Sequence, residues 1–87
     1  MARVEIYTTP SCPYCVQAKR LLTKKGVNFI EYAVASDAAL RREMETRSGR
    51  SSVPQIFIDD THVGGCDDLY DLEGDDKLDA LLGLAGK

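Results

Sequence analysis

The sequence predicts one α/β domain over residues 1–87, with elements in the order β-α-β-α-β-β-α. Three observations carry the prediction. Short apolar runs alternate with segments whose apolar residues recur every three or four positions, the pattern of strands separated by helices. Two cysteines, Cys12 and Cys15, stand where the first apolar run gives way to the first helical segment. Two further apolar runs, at residues 55–58 and 61–64, are separated only by Asp59-Asp60, a hairpin and therefore an antiparallel pair.

Val4–Thr8 reads as a short strand, dense enough in apolar residues for burial. Pro13–Lys25 reads as a helix. Cys15, Ala18 and Leu22 fall at i, i+3 and i+7 with Leu21 beside them, and Lys19, Arg20, Lys24 and Lys25 face outward. Pro13 suits the first turn, where its missing N–H costs nothing, and Gly26 suits the position just past the last turn. Val27–Ala33 is a second strand, and a strand–helix–strand unit of this kind is expected to be parallel and right-handed. Ser36 is the expected N-cap of the second helix, with Asp37 in its first turn. That helix runs to about Ser48, buries Leu40 and Met44 and ends at Gly49. Gln55–Ile58 and Thr61–Gly64 form the hairpin. Asp67–Glu73 and Lys77–Leu84 are short helices, the second with Leu78, Leu81 and Leu82 on one face.

The segment Cys12-Pro13-Tyr14-Cys15 carries the chemistry. A sulfur at a helix start sits among unpaired backbone N–H groups and near the positive end of the helix dipole, and both favour the nucleophilic thiolate. Cys12 has that place and is the candidate nucleophile. Cys15, one turn in and more covered, is the candidate resolving thiol. A CxxC pair is also half of a zinc site or an Fe–S ligand pair. For zinc the chain offers only Cys66 and His62 as further ligands, a Cys3His set, whereas structural zinc usually draws on two short ligand pairs. A purely structural bridge is the weaker alternative, because so short a loop constrains the unfolded chain little. His62 is expected on the hairpin surface, away from Cys12.

Composition narrows the function classes. The net charge of −3 argues against nucleic acid as a partner. Residues 1–50 hold nine Lys/Arg against five Asp/Glu, and residues 51–87 hold two against nine. The acidic part reads as solvated surface, while the basic part offers side chains to an anionic ligand. A hydrophobic content of 44% is ordinary for a soluble globule. No apolar run approaches the roughly 20 residues of a membrane span. Met1-Ala2-Arg3-Val4-Glu5 lacks the apolar region of a signal peptide. Three cysteines, an odd number, do not make a secreted disulfide framework and suit a reducing cytosol. A cytoplasmic protein without a membrane partner is therefore expected.

Cys12-Pro13-Tyr14-Cys15, Ser52-Val53-Pro54-Gln55 and Gly64-Gly65-Cys66-Asp67-Asp68-Leu69-Tyr70, in this order and at this spacing, resemble the dithiol glutaredoxins of the small bacterial type. The resemblance covers nearly the whole chain. It implies a thioredoxin-like fold, with a four-stranded mixed sheet flanked by helices. It also implies a glutathione-dependent oxidoreductase that reduces protein–glutathione mixed disulfides and protein disulfides, with ribonucleotide reductase a candidate substrate. Cys12 would attack the substrate disulfide, Cys15 would close the intramolecular disulfide, and glutathione, the co-substrate, would reduce it.

The same resemblance assigns a glutathione pocket. Tyr14 would border the groove beside the active sulfur. The Val53–Pro54 bond would be cis and face the CxxC, and the exposed Val53 backbone would pair with an extended substrate. Ser52 stands where many relatives have Thr, so the hydroxyl is kept. Gly64-Gly65 and the helix start at Cys66 would cradle the γ-glutamyl end, with Asp67 or Asp68 near its ammonium group. Arg41 would meet the glycine carboxylate. Cys66 would be a semi-buried neighbour of the groove without a catalytic role. In one departure, Thr9 and Pro10 occupy the place where relatives commonly carry a lysine, leaving Lys19 and Arg20 as the cations that could compensate. The expected protein is a monomer that needs glutathione and no metal. Two other readings stand beside it. One is a thioredoxin-reductase-linked redoxin of the same fold. The other is an Fe–S or zinc-binding glutaredoxin-like carrier, which the Pro13 spacer disfavours because cluster-binding relatives often have a smaller residue there.

Overall fold

The computed structural model describes residues 2–84. In chain order the elements are β1 (Val4–Thr8), α1 (Pro13–Lys24), β2 (Ile30–Ala33), α2 (Ala38–Ser48), β3 (Gln55–Ile58), β4 (Thr61–Gly64), α3 (Cys66–Gly74) and α4 (Leu78–Leu81). The strands form one mixed sheet in the order β2-β1-β3-β4. β1 runs parallel to β2 and antiparallel to β3, and β3 and β4 form the expected hairpin. Asp59 and Asp60 both have positive φ, +51° and +66°, as a tight hairpin turn with the right twist requires. Among the described residues no helix is long and apolar enough to cross a membrane.

The two faces of the sheet are told apart by the period-two alternation of the central strands. Val4 pairs with Ile58 and Ile6 with Ile56, and these side chains meet Ala18, Leu21 and Leu22 of α1, Leu69 of α3, and Leu78 and Leu82 at the C-terminal end. The alternate residues, Tyr7 and Phe57, turn to the other face and pack with Val34 and with Met44 of α2. Helices therefore cover both faces, and β1 is buried along its whole length.

That second face contains a charged group that local pattern does not announce. Glu5 lies in the middle of β1 and is buried. The Arg47 guanidinium from α2 reaches both its oxygens, at 3.1 and 3.2 Å, and Tyr32 donates its hydroxyl at 2.8 Å. Arg47 also donates to the Tyr7 hydroxyl at 2.8 Å and lies 4.0 Å above the Phe57 ring. The Arg47 hydrogen bonds hold the Glu5 carboxyl below its ordinary value of 4.5 although burial opposes the charge.

Five boundaries differ from the sequence expectation for local reasons. α1 ends at Lys24 in a Schellman turn: Gly26 N–H donates to Thr23 O, and Val27 N–H to Leu22 O at 3.3 Å. Gly26 takes φ +74°, which glycine adopts without strain. Val27 thus belongs to the helix cap, and β2 starts only at Ile30. The N-cap of α2 is Asp37, not Ser36: its Oδ1 accepts the N–H groups of Ala39 and Leu40, both at 3.1 Å. The N-cap of α3 is Gly65, so that helix begins at Cys66, one residue early. α4 stops at Leu81 because Leu84 N–H turns back to Asp79 O at 2.7 Å. Leu78 and Leu82 are fully buried, but Leu81 is 41% exposed and does not share their face. Leu40 packs on the Met44 cluster only partly buried.

Candidate functional site

β1 delivers the chain to a short loop, and α1 starts at its far side with Pro13 in the first turn. Cys12 is the N-cap. Its Sγ accepts the Cys15 N–H at 3.2 Å, the bond that a serine or aspartate oxygen makes at most helix starts. The same sulfur lies 3.8 Å from the Val53 carbonyl oxygen and is half-buried. Cys15, by contrast, is 1% exposed. Burial, and then the hydrogen bond with Cys12, push its thiol up to about 12. The two thiols are therefore unequal: one is presented at the helix mouth, the other is kept protonated beneath it.

Three segments far apart in the chain close around a cavity of about 500 Å3 beside Cys12. α1 supplies Tyr14 and Gln17. Arg50 and Ser52 to Gln55 come from the stretch between α2 and β3. Gly65, Cys66, Asp67 and Tyr70 come from the start of α3. The Val53–Pro54 bond is cis. Tyr14 is 61% exposed and stands at the rim. The Tyr70 hydroxyl donates to Gln17 O at 3.3 Å, linking α3 to α1 across the cavity wall.

The floor is shaped at Gly64-Gly65. Gly64 takes φ +121°, and a Cβ there would overlap the Asp68 carboxylate. Asp68 Oδ2 accepts the Gly65 N–H at 2.9 Å and lies 3.4 Å from the Arg50 guanidinium. Cys66 is buried with its Sγ 3.9 Å from Gln17 Oε1; burial, and then the charge of Asp67, push its thiol up.

Of the residues expected to hold glutathione, Tyr14, Ser52, Val53, Pro54, Gly65, Cys66 and Asp67 line this one cavity. Asp68 and Arg41 stand outside the lining. Asp68 caps the backbone beneath it, and Arg41 donates to Ser51 O at 3.3 Å, bracing the loop from α2. The lining also includes Gln17, Arg50, Gln55 and Tyr70, which sequence reasoning did not assign. Gln55 and Tyr70 lie inside the quoted motifs, and Tyr70 sits one turn after Cys66, so their signals were present.

Of the two cations proposed to replace the missing upstream lysine, Lys19 has another place. Lys19 pairs with Glu31 at 2.9 Å, and Glu31 also accepts the Thr8 hydroxyl at 2.7 Å. Thr8 and Lys19 hold the Glu31 carboxyl below its ordinary range. His62 is half-buried rather than a hairpin surface group. It lies 5.0 Å from the Phe57 ring and 2.7 Å from Gln55 Oε1, and burial lowers its basicity. Among the described residues no group of three or more His, Cys, Asp or Glu side chains could hold a metal ion, so Cys12, Cys15, Cys66 and His62 do not assemble into a Cys3His set.

Comparison with known proteins agrees with this geometry. The family model described as Glutaredoxin matches residues 4–63. Glutaredoxin 3 of Escherichia coli K12 is 60% identical over 82 residues, covering 94% of this chain and 99% of that protein. The solution structure of a Brucella melitensis glutaredoxin is 54% identical with a TM-score of 0.84, covering 100% of this chain and 95% of that one. The crystal structure of a buckwheat glutaredoxin–glutathione complex is 25% identical with a TM-score of 0.86, covering 94% of this chain and 77% of that one. A thiol pair at the mouth of a helix, a backbone edge facing it and a match to the family model over most of the chain lead to one conclusion: the chain belongs to the glutaredoxin family.

Proposed function

We propose that this glutaredoxin, a thiol–disulfide oxidoreductase with glutathione as co-substrate, works through Cys12 as nucleophile and Cys15 as resolving thiol, with the glutathionyl group seated in the cavity beside them. The observation that carries the reading is the Cys12 sulfur itself. It is the side-chain cap of α1, it accepts the Cys15 N–H, and it lies 3.8 Å from the Val53 carbonyl at the cavity edge. A negative charge at a helix N-cap is stabilised by the free N–H groups there.

The chemistry follows. The Cys12 thiolate attacks the glutathionyl sulfur of a protein–glutathione disulfide. The protein thiolate leaves and takes a proton, and Cys12 carries the glutathionyl group. Two routes then regenerate the enzyme. A second glutathione thiolate attacks the glutathionyl sulfur, releasing glutathione disulfide and the Cys12 thiolate. Alternatively Cys15 gives up its proton and attacks the Cys12 sulfur, and glutathione leaves as a thiolate that takes up a proton. Two further glutathione molecules reduce the resulting Cys12–Cys15 disulfide. Burial of Cys15 makes the second route depend on the loss of a firmly held proton.

Within the cavity, Tyr14, Ser52, Val53, Pro54, Gly65, Cys66 and Asp67 contact glutathione, with Asp67 or Asp68 near the γ-glutamyl ammonium group. The buckwheat complex, a glutaredoxin with glutathione bound on a similar fold, supports glutathione as the ligand. Arg50 lines the cavity and is better placed than Arg41 for a carboxylate of glutathione. The protein substrates are glutathionylated or disulfide-bonded proteins, ribonucleotide reductase among the candidates. The protein acts as a cytoplasmic monomer without a resident metal.

A coupled assay tests this reading. Glutathione with glutathione reductase should sustain reduction of a glutathionylated peptide, and thioredoxin reductase alone should not. Cys12→Ser should abolish turnover, while Cys15→Ser should keep reduction of glutathionylated peptides and lose the dithiol route. A dead Cys15 variant beside an active Cys12 variant would reverse the roles. Iron or zinc in stoichiometric amount in the purified protein would favour the carrier reading.

A further inference from the structure

We propose that His62 is a positioning residue for the glutathionylated substrate, acting through Gln55 on the Ser52–Val53 backbone. This rests on the reading of the Val53 edge as the place where the glutathionyl group docks.

The side chain between them is Gln55, at 1% exposure among the most buried polar groups in the molecule. Its amide is used at three points. Nε2 donates to Ser52 O at 3.0 Å and to Ser52 Oγ at 3.3 Å, and Oε1 lies 2.7 Å from His62 Nε2. A backbone carbonyl can only accept, so the amide nitrogen must be the end facing Ser52. The amide oxygen is then the end facing His62, and His62 must donate to it from Nε2. The arrangement therefore requires the Nε2–H tautomer. The ring is held for that task by Phe57, its cross-strand partner, at 5.0 Å and 34° between planes. Besides burial, the charges of Arg50 and Asp68 act on the His62 ring, in opposite senses.

The relay ends where the reaction occurs. Ser52 is followed by Val53, whose carbonyl lies 3.8 Å from Cys12 Sγ, and Ser52, Val53 and Gln55 all line the cavity. Without the His62 donor, Gln55 Oε1 is left buried and unpaired and the amide can turn, so the Ser52 carbonyl loses its fixed partner. The Cys12 sulfur is held from α1 by the Cys15 N–H, and as a thiolate it has no proton to give the Val53 carbonyl, so the nucleophile itself does not depend on this relay. The expected consequence is weaker substrate docking with unaltered nucleophile chemistry.

His62→Phe keeps an aromatic ring against Phe57 and removes the donor; His62→Gln keeps a donor. For a glutathionylated peptide, His62→Phe should raise KM by about 5- to 20-fold, the range that follows from one lost buried hydrogen bond. Turnover at saturation and the rate of Cys12 alkylation by iodoacetamide should stay within about twofold of wild type, since neither uses the relay. His62→Gln should recover most of the KM. An unchanged KM in folded His62→Phe overturns the proposal. So does a parallel loss in KM, turnover and alkylation, which marks general disruption, or a His62→Gln variant no better than Phe. A measurement on the unmodified protein stands independently of variant folding: two-dimensional 15N–1H spectra of the imidazole must show the Nε2–H tautomer, and an Nδ1–H tautomer refutes the relay. If wild-type protein fails to turn over the glutathionylated peptide, the functional reading fails instead, and the tautomer result still judges the relay.

Discussion

Replacing Gly64 with alanine tests how the cavity floor is built. Gly64 sits at φ +121°, a conformation that a residue with a Cβ occupies only under strain of about 1–3 kcal/mol. The added methyl would also overlap the Asp68 carboxylate, with Cγ 2.7 Å away. Asp68 cannot move without releasing the Gly65 N–H, which it accepts at 2.9 Å at the start of α3. Loss of such a cap costs about 0.5–2 kcal/mol. Together the two effects come to roughly 1.5–5 kcal/mol. In a domain of this size 1 kcal/mol moves the melting temperature by about 4–8 °C, so Gly64→Ala should melt roughly 6–40 °C lower. Far-UV circular dichroism on heating, with urea titration at 25 °C, measures it. Asp68→Ala alone should cost about 1 kcal/mol, the cap without the collision. The double variant should then lose less than the sum of the two single ones, because the collision is gone. A Gly64→Ala protein within about 0.5 kcal/mol of wild type, the scatter of ordinary surface changes, would refute the reasoning. Strict additivity in the double variant would show that Asp68 is not what the new methyl meets.

Two further outcomes follow from the opposite face of the sheet. The Glu5 carboxyl is held below 4.5 by Arg47, so its contribution is present above that value and is lost as pH falls through the lower folded value. Arg47→Met leaves the buried carboxylate with only the Tyr32 hydroxyl and Arg3 at 3.8 Å, and should cost about 3 kcal/mol near pH 7, at the low end for buried pairs because these partners remain and Arg47 keeps partial access to solvent. Urea midpoints between pH 3 and pH 7 should show that deficit shrinking in acid as Glu5 becomes neutral, and a constant deficit would contradict the pairing. Met44 is fully buried in the second core and does not line the cavity, although Val53 packs against the same cluster. Met44→Ala should lose about 2–5 kcal/mol in urea denaturation while activity per folded molecule is kept, and a selective loss of activity would place Met44 in the site.

The strand and helix order, the hairpin and the placing of a cysteine pair at the start of α1 were legible from the sequence because each is written in neighbouring residues. A cysteine before Pro13 and a run of apolar residues at helical spacing act over a single turn. The cap of α2 was misplaced by one residue because Ser36 and Asp37 can both serve. The turn closed by Asp37 N–H on Val34 O at 3.4 Å leaves Asp37 extended and chooses between them. The start of β2 was placed too early because Val27 is apolar whether it caps a helix or joins a sheet, and only its bond to Leu22 O decides.

The cavity proposed to seat glutathione was legible in part. Ser52 to Pro54 and Gly65 to Asp67 were found by motif and do line the cavity, since each segment keeps its own local shape. Which basic residue joins them was not legible: Arg41 and Arg50 both border the same loop, and packing turns Arg41 to Ser51 O and leaves Arg50 at the cavity. The burial of Glu5 was hidden for the same reason, because its partner Arg47 lies 42 residues further along. By itself the sequence determined the elements and the cysteine pair at the start of α1, which rest on contacts within a turn or a strand. Only the tertiary structure decided which charged and polar side chains meet across distant segments, because the free energy of burying Glu5, Gln55 or His62 depends on a partner that the fold brings to them.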